Sequence, residues 1–184
     1  NLANVMSSPV DIEQTILHSA KYYGRGLAPM FFSIAMWIAC ISTFLVVRTF
    51  SGRAMTGRAI SLSIALVGFG PLAVIALAGA YILAFGVWLA LGLDPVHPWY
   101  FIGFVTLTSL AWMMLAFWMR LLFGSPQTAI FLILLVLQLP TCGGTFPVTM
   151  LPSVYQKLSV IMPMKYSVDA FRVLISGGPM STLA

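Results

Sequence analysis

Long stretches without a charged residue dominate the chain. Leu27 to Val47 is predominantly apolar, carries no charge, and has about the 20 residues that a helix needs to cross a hydrocarbon core. Pro29 stands near its start, where a helix tolerates proline. Ile60 to Leu93 is a second apolar run of 34 residues. As one helix it would measure about 51 Å, against a core of about 30 Å, yet it is too short for two spans and a turn. Gly68, Gly70 and Pro71 interrupt it. The pattern predicts a kinked element, with an in-plane or partly inserted first part and a span over about 71–91. A single strongly tilted helix is the alternative.

Gly92 to Pro98 reads as a turn, and a third span follows over about 99–119. Trp99 and Tyr100 suit one headgroup belt, and Trp118 and Arg120 the other. After the turn Gly124-Ser125-Pro126 comes a shorter run, Gln127 to Leu139, only about 20 Å as a helix. It meets Pro140-Thr141-Cys142-Gly143-Gly144-Thr145-Phe146-Pro147, which predicts either a re-entrant break inside the bundle or a surface turn, with the re-entrant or interfacial reading preferred. Two amphipathic stretches close the pattern. Over about 153–162, Val154, Leu158 and Ile161 share one helical face. Over about 167–176, Ser167 is the expected cap, Val168, Phe171 and Ile175 form the apolar stripe, and Asp169 and Arg172 stand three apart, close enough to pair. Both stretches predict helices lying in the membrane interface.

The expected fold is therefore an all-α membrane protein: a polytopic helical bundle with four spans (about 27–47, 71–91, 99–119 and 127–140), a broken outer segment and two interfacial helices. Composition agrees. Of 184 residues 60% are hydrophobic and 7% charged, with a mean hydropathy of +1.01. A soluble domain carries about 25% charged residues, so a soluble enzyme, a disordered tail and a DNA-binding module are excluded. The net charge of +5 comes from scattered residues that mostly flank apolar runs. They read as headgroup anchors in a lipid bilayer rather than as a nucleic-acid surface, and no nucleic-acid partner is predicted.

Orientation rests on the compact loop from Arg48 to Arg58, which holds Arg48, Arg53 and Arg58 and no acid. Basic residues near span ends mark the cytoplasmic side. The first span then runs inward, Asp94 and His97 lie outside, Arg120 inside, and the Gly143-Gly144 segment and the C-terminus outside. The chain opens on Asn1 without a signal-peptide pattern and is expected to be a piece of a longer protein.

Catalytic chemistry finds little support. There is no phosphate-binding loop, since Lys21, Lys157 and Lys165 follow no glycine loop, and there is no nucleophile elbow. His18 and His97 stand at membrane edges. Cys40 and Cys142 belong to no metal-ligand pattern, and a disulfide between them is not expected. No enzyme activity, cofactor or metal site is predicted. No ionisable group falls centrally in a span, as a self-powered carrier would require. Gln138 is the most notable polar residue within a span, read as an interhelical hydrogen bond in preference to a substrate contact. Ala35/Ala39 and Ala76/Ala80 are small-residue pairs that permit close helix packing.

In the residues from Leu135 onward, the stretch Leu137 to Pro152, Leu-Gln-Leu-Pro-Thr-Cys-Gly-Gly-Thr-Phe-Pro-Val-Thr-Met-Leu-Pro, then Met-Pro-Met-Lys-Tyr-Ser-Val-Asp-Ala-Phe-Arg from Met162 and Ile-Ser-Gly-Gly from Ile175, resembles the C-terminal membrane region of the YhgE/Pip (phage infection protein) family. Ala3 to Val10, Tyr23 to Pro29 and Gly92 to Pro98 fit as well, so the resemblance covers nearly the whole chain. Thr141-Cys142 departs mildly from the small residues expected there. The family is grouped with type-2 ABC transporter permeases, and the resemblance implies a six-span permease with a large extracellular insert after its first span. By that likeness residues 1–26 would be the extracellular tail of the insert, the spans here would be family spans two to five, and the last span would be absent. Arg48, Arg53 and Arg58 would form the loop that meets a cytoplasmic ATPase subunit, and Gly143, Gly144, Thr145, Phe146 and Pro147 the re-entrant motif.

The leading expectation is a permease-like subunit of a bacterial envelope export system, in the plasma (inner) membrane with several passes, powered by a partner and forming a homodimer. The alternative is a non-transporting membrane anchor that displays an extracellular domain for phage adsorption or secretion-complex assembly.

Overall fold

The computed structural model describes residues 23–47, 61–90, 92–143 and 152–177. Every regular element among them is helical: α1 (Tyr23–Val46), α2 (Ser61–Ala90), α3 (Pro98–Phe123), α4 (Gln127–Thr141), α5 (Ser153–Ile161) and α6 (Pro163–Ser176). Three helical stretches are long and apolar enough to cross a membrane: Gly26–Val46, Val67–Ala90 and Pro98–Phe123. α4, with 15 residues, is a shorter apolar helix of about 22 Å.

α1 is the hub and packs against α2, α3, α4 and α6. Its buried residues, Thr43 apart, fall on two adjacent rows of i,i+4 spacing, chiefly Ala28-Phe32-Met36-Cys40-Phe44 and Ser33-Trp37-Ile41. Trp37, fully buried, stacks on Phe131 of α4 at 4.5 Å and meets Trp112 of α3 edge-on at 5.3 Å. Its indole N–H donates to the Phe131 carbonyl at 3.1 Å, so the ring's one polar atom is satisfied. A second aromatic layer joins Phe32, Phe101 and Phe171 of α1, α3 and α6, with centroids 5.5 to 5.9 Å apart.

α2 runs unbroken through Gly68, Gly70 and Pro71, so one helix stands where the sequence predicts a separate first part. Only 22% of its most apolar window is buried, against 50% for α1. The buried face is the row Leu72-Ala76-Ala80-Ala84, and the Ala35/Ala39 and Ala76/Ala80 pairs line the same gap of about 30 Å³ between α1 and α2. The two predicted small-residue pairs thus face each other, and the backbones approach where bulk is missing. The Tyr81 hydroxyl meets Thr106 Oγ1 at 2.7 Å; because Thr106 donates to the Ile102 carbonyl, the tyrosine is the donor across the α2–α3 seam.

α3 begins with Pro98 at its first position and ends at Gly124, whose φ of +67° leaves the helical region. The Arg120 guanidinium reaches the Gly124 carbonyl at 3.2 Å, a cation placed on the negative end of the helix dipole. α5 and α6 share Met162 as their boundary, extended because Pro163 follows it.

Two expectations need correction. α6 starts at Pro163, not near 167, because proline is preorganised for the first helical position. Ser167 is therefore no cap: it lies within the helix, buried, with its hydroxyl on the Met164 carbonyl at 2.8 Å.

Candidate functional site: the joint between α4 and α6

The buried face of α4 is Gln127, Phe131, Leu135, Gln138 and Thr141, an apolar centre with polar residues at both ends. The helix runs through Pro140 to Thr141, one residue past the expected end of about 140, and turns off at Cys142 and Gly143. Proline has no N–H to offer the Val136 carbonyl, which weakens the final turn from within. Thr141 Oγ1 donates back to the Leu137 and Gln138 carbonyls at 3.0 and 3.2 Å, beside the Cys142 N–H that closes the last turn on the Gln138 carbonyl at 2.9 Å. Gly143 has a φ of +66°, so the chain leaves α4 through a conformation that favours glycine.

Gln138 is fully buried, and its Oε1 accepts the Met164 backbone N–H at 3.1 Å. Met164 is the second residue of α6, where the backbone N–H has no partner within its own helix. A side chain of α4 thus caps α6, which bears out the reading of Gln138 as an interhelical hydrogen bond. The Nε2 atoms of Gln138 and Gln127 are buried and find no partner among the described residues.

The Met164 carbonyl is held from the other side. Ser33 Oγ of α1 lies 3.0 Å from Ser167 Oγ, which itself donates to Met164, so Ser33 donates to Ser167. One residue of α6 is therefore tied through its N–H to α4 and through its carbonyl, by way of Ser167, to α1. Further along, Arg172 Nη2 donates to the Gly143 carbonyl at 3.0 Å and Nη1 lies 3.2 Å from Asp169 Oδ1, both side chains about half exposed. The His97 N–H reaches the Leu174 carbonyl at 3.3 Å, so the turn before α3 touches the last part of α6. One end of the bundle gathers the end of α4, the start of α3 and the length of α6, the pieces that the sequence assigns to one side of the membrane.

Of the residues singled out in the sequence, the structure brings Asp169 and Arg172 together and joins Gly143 to them. Arg48, Arg53 and Arg58, and Gly144, Thr145, Phe146 and Pro147, lie outside the described residues, as do His18 and most of the tail 1–26. Ser33 and Met164 escape sequence reasoning, as does the bridging role of Ser167. A single hydroxyl in an apolar run leaves no periodic mark, and the Gln138–Met164 contact is made by a backbone atom that residue identity does not reveal. Cys40, within α1, and Cys142, just past the end of α4, are both buried and form no disulfide, and the Cys142 thiol donates to the Leu139 carbonyl at 3.2 Å.

Three apolar helices long enough to cross a membrane, with a shorter apolar helix and an amphipathic helix packed onto them, are the build of a helical membrane protein. The family model for the ABC-2 family transporter protein matches residues 1–184, and the chain belongs to that family. It is 32% identical over 176 residues to the "Uncharacterized protein YhgE" of Bacillus subtilis (strain 168), a match that takes in 95% of this chain and 22% of that protein. The chain thus spans about a fifth of the relative's length. The family likeness read from Leu135 onward is shown by both matches. No solved structure matches the chain.

Proposed function

We propose that the chain is the permease-like membrane subunit of a bacterial envelope export system, seated in the plasma (inner) membrane with several crossings, acting as a homodimer and driven by a separate ATPase at its cytoplasmic face. The family match over residues 1–184 is the observation that carries this reading. The α4–α6 joint supports it. A helix of 15 residues followed by Gly143 in a left-handed turn, with an outer helix capped by Gln138, suits a fourth span completed by a re-entrant segment on the external side. In this reading Arg48, Arg53 and Arg58 form the loop that docks the ATPase, and residues 1–26 continue from an extracellular domain.

Reversing all three arginines to glutamate is expected to abolish co-purification of an ATPase with the intact protein at native expression. Unchanged co-purification, or no ATPase partner in the wild type, would defeat the reading. Leucine in place of Gly143 and Gly144 separates it from a passive anchor, since an anchor needs no broken span and would keep its function.

A further inference from the structure

Between α3 and α6 lies an open groove of about 780 Å³. Its long wall is one face of α3, Gly103-Leu107-Ala111, three positions of i,i+4 spacing that cover about 12 Å of helix. Leu107 is 64% exposed and Gly103 has open space where a Cβ would stand, so the described residues leave this strip uncovered. The charged residues lining the groove belong to α6: Lys165 and Asp169. Trp99 and Tyr100, both exposed and of the amphipathic kind that sits at headgroup level, complete the rim.

The charges are not balanced. Asp169 is already engaged by Arg172, whereas Lys165 makes no ion pair among the described residues. The groove therefore joins an apolar channel to an unmatched ammonium, with two aromatic side chains beside it. We propose that it is a binding site for an anionic phospholipid, with the headgroup phosphate on Lys165 and an acyl chain along the Gly103-Leu107-Ala111 strip. Charge complementarity selects the occupant: a phosphate answers the free ammonium, and the carboxylate of Asp169, neutralised by Arg172, does not repel it. The inference does not depend on the export reading, because a bound lipid would occupy the groove in a transporter or in an anchor.

The test is native mass spectrometry of the intact protein released from detergent with added phosphatidylglycerol or phosphatidylcholine. Wild type is expected to retain one phosphatidylglycerol about five-fold better than phosphatidylcholine, the ratio equivalent to the roughly 1 kcal/mol that a lysine contributes near an anionic headgroup. Lys165→Gln should erase that preference while leaving phosphatidylcholine retention unchanged. Gly103→Leu, which projects bulk into the groove from a position with open space around its Cβ, should remove retention of both lipids at an unaltered melting temperature. Equal retention of the two lipids by wild type, or retention indifferent to Gly103→Leu, would reduce the groove to ordinary lipid contact and overturn the proposal. Displacement of phosphatidylglycerol by inorganic phosphate would overturn it in favour of a simple anion site, and crosslinking of a photoreactive residue at Leu107 to a second copy of the chain would overturn it in favour of a subunit interface.

Discussion

α5 and α6 are neighbours in the chain, meet at Met162, and share one kind of sequence, short, amphipathic and too polar to span. Their surroundings are opposite. In α5 the stripe residues Val154 and Ile161 are 71% and 77% exposed, and the helix rests mainly on α4. In α6 Met164, Val168, Phe171, Leu174 and Ile175 are buried against α1, α3 and α4, and polar ties fix the helix along its length. An apolar stripe shows that a helix has a face to hide, but not from what: α6 hides it in protein, whereas α5 leaves it exposed among the described residues. The hydrophobic effect does not separate these outcomes, because lipid tails are as apolar as leucine; shape and hydrogen bonds decide.

That contrast can be broken at graded strengths. Phe171→Ala should do most. It removes a fully buried ring from the Phe32-Phe101 layer and its edge-on contact with Phe104 at 4.8 Å, and should lower stability by about 3 kcal/mol in thermal unfolding in detergent. Gln138→Leu comes next. It leaves the Met164 N–H buried without an acceptor, and we expect a loss of about 1–2 kcal/mol, together with faster amide exchange at Met164. Replacing Val154 and Ile161 of α5 with serine should change the unfolding midpoint of the bundle least, by less than about 0.5 kcal/mol, because neither side chain packs against protein. A large effect there would mean that α5 has a protein partner, and the contrast with α6 would fail.

The long elements are legible because an uncharged run of about 20 residues has few options in lipid. The first expected span lies one residue from the observed stretch at each end, and the third begins one residue earlier in the structure and runs four further, through Phe123. α2 is less legible: Gly68, Gly70 and Pro71 are poor helix formers in water, but a helix in lipid keeps its backbone bonds because no solvent competes for them. The start of α6 is obscured because Ser167 imitates a cap, while Pro163, four residues earlier, sets the true beginning. In the joint, Gln138 stands out as an amide in an apolar run, and its role follows from that alone. Its partner does not, since the two residues are 26 apart and the contact depends on how the chain returns after Gly143.

α2 illustrates a different economy. It is apolar around its whole circumference, with Val74, Ile82 and Leu89 turned outward as freely as Leu72 is turned inward. Such a cylinder feels no torque from the surrounding oil, which greets every side alike. Its angular setting comes from the alanine row that faces α1, from Phe69 and Trp88 lodged against Phe117 and Phe101 of α3, and from the hydroxyl of Tyr81 reaching Thr106, the polar peg that tells a greasy rod which way to turn.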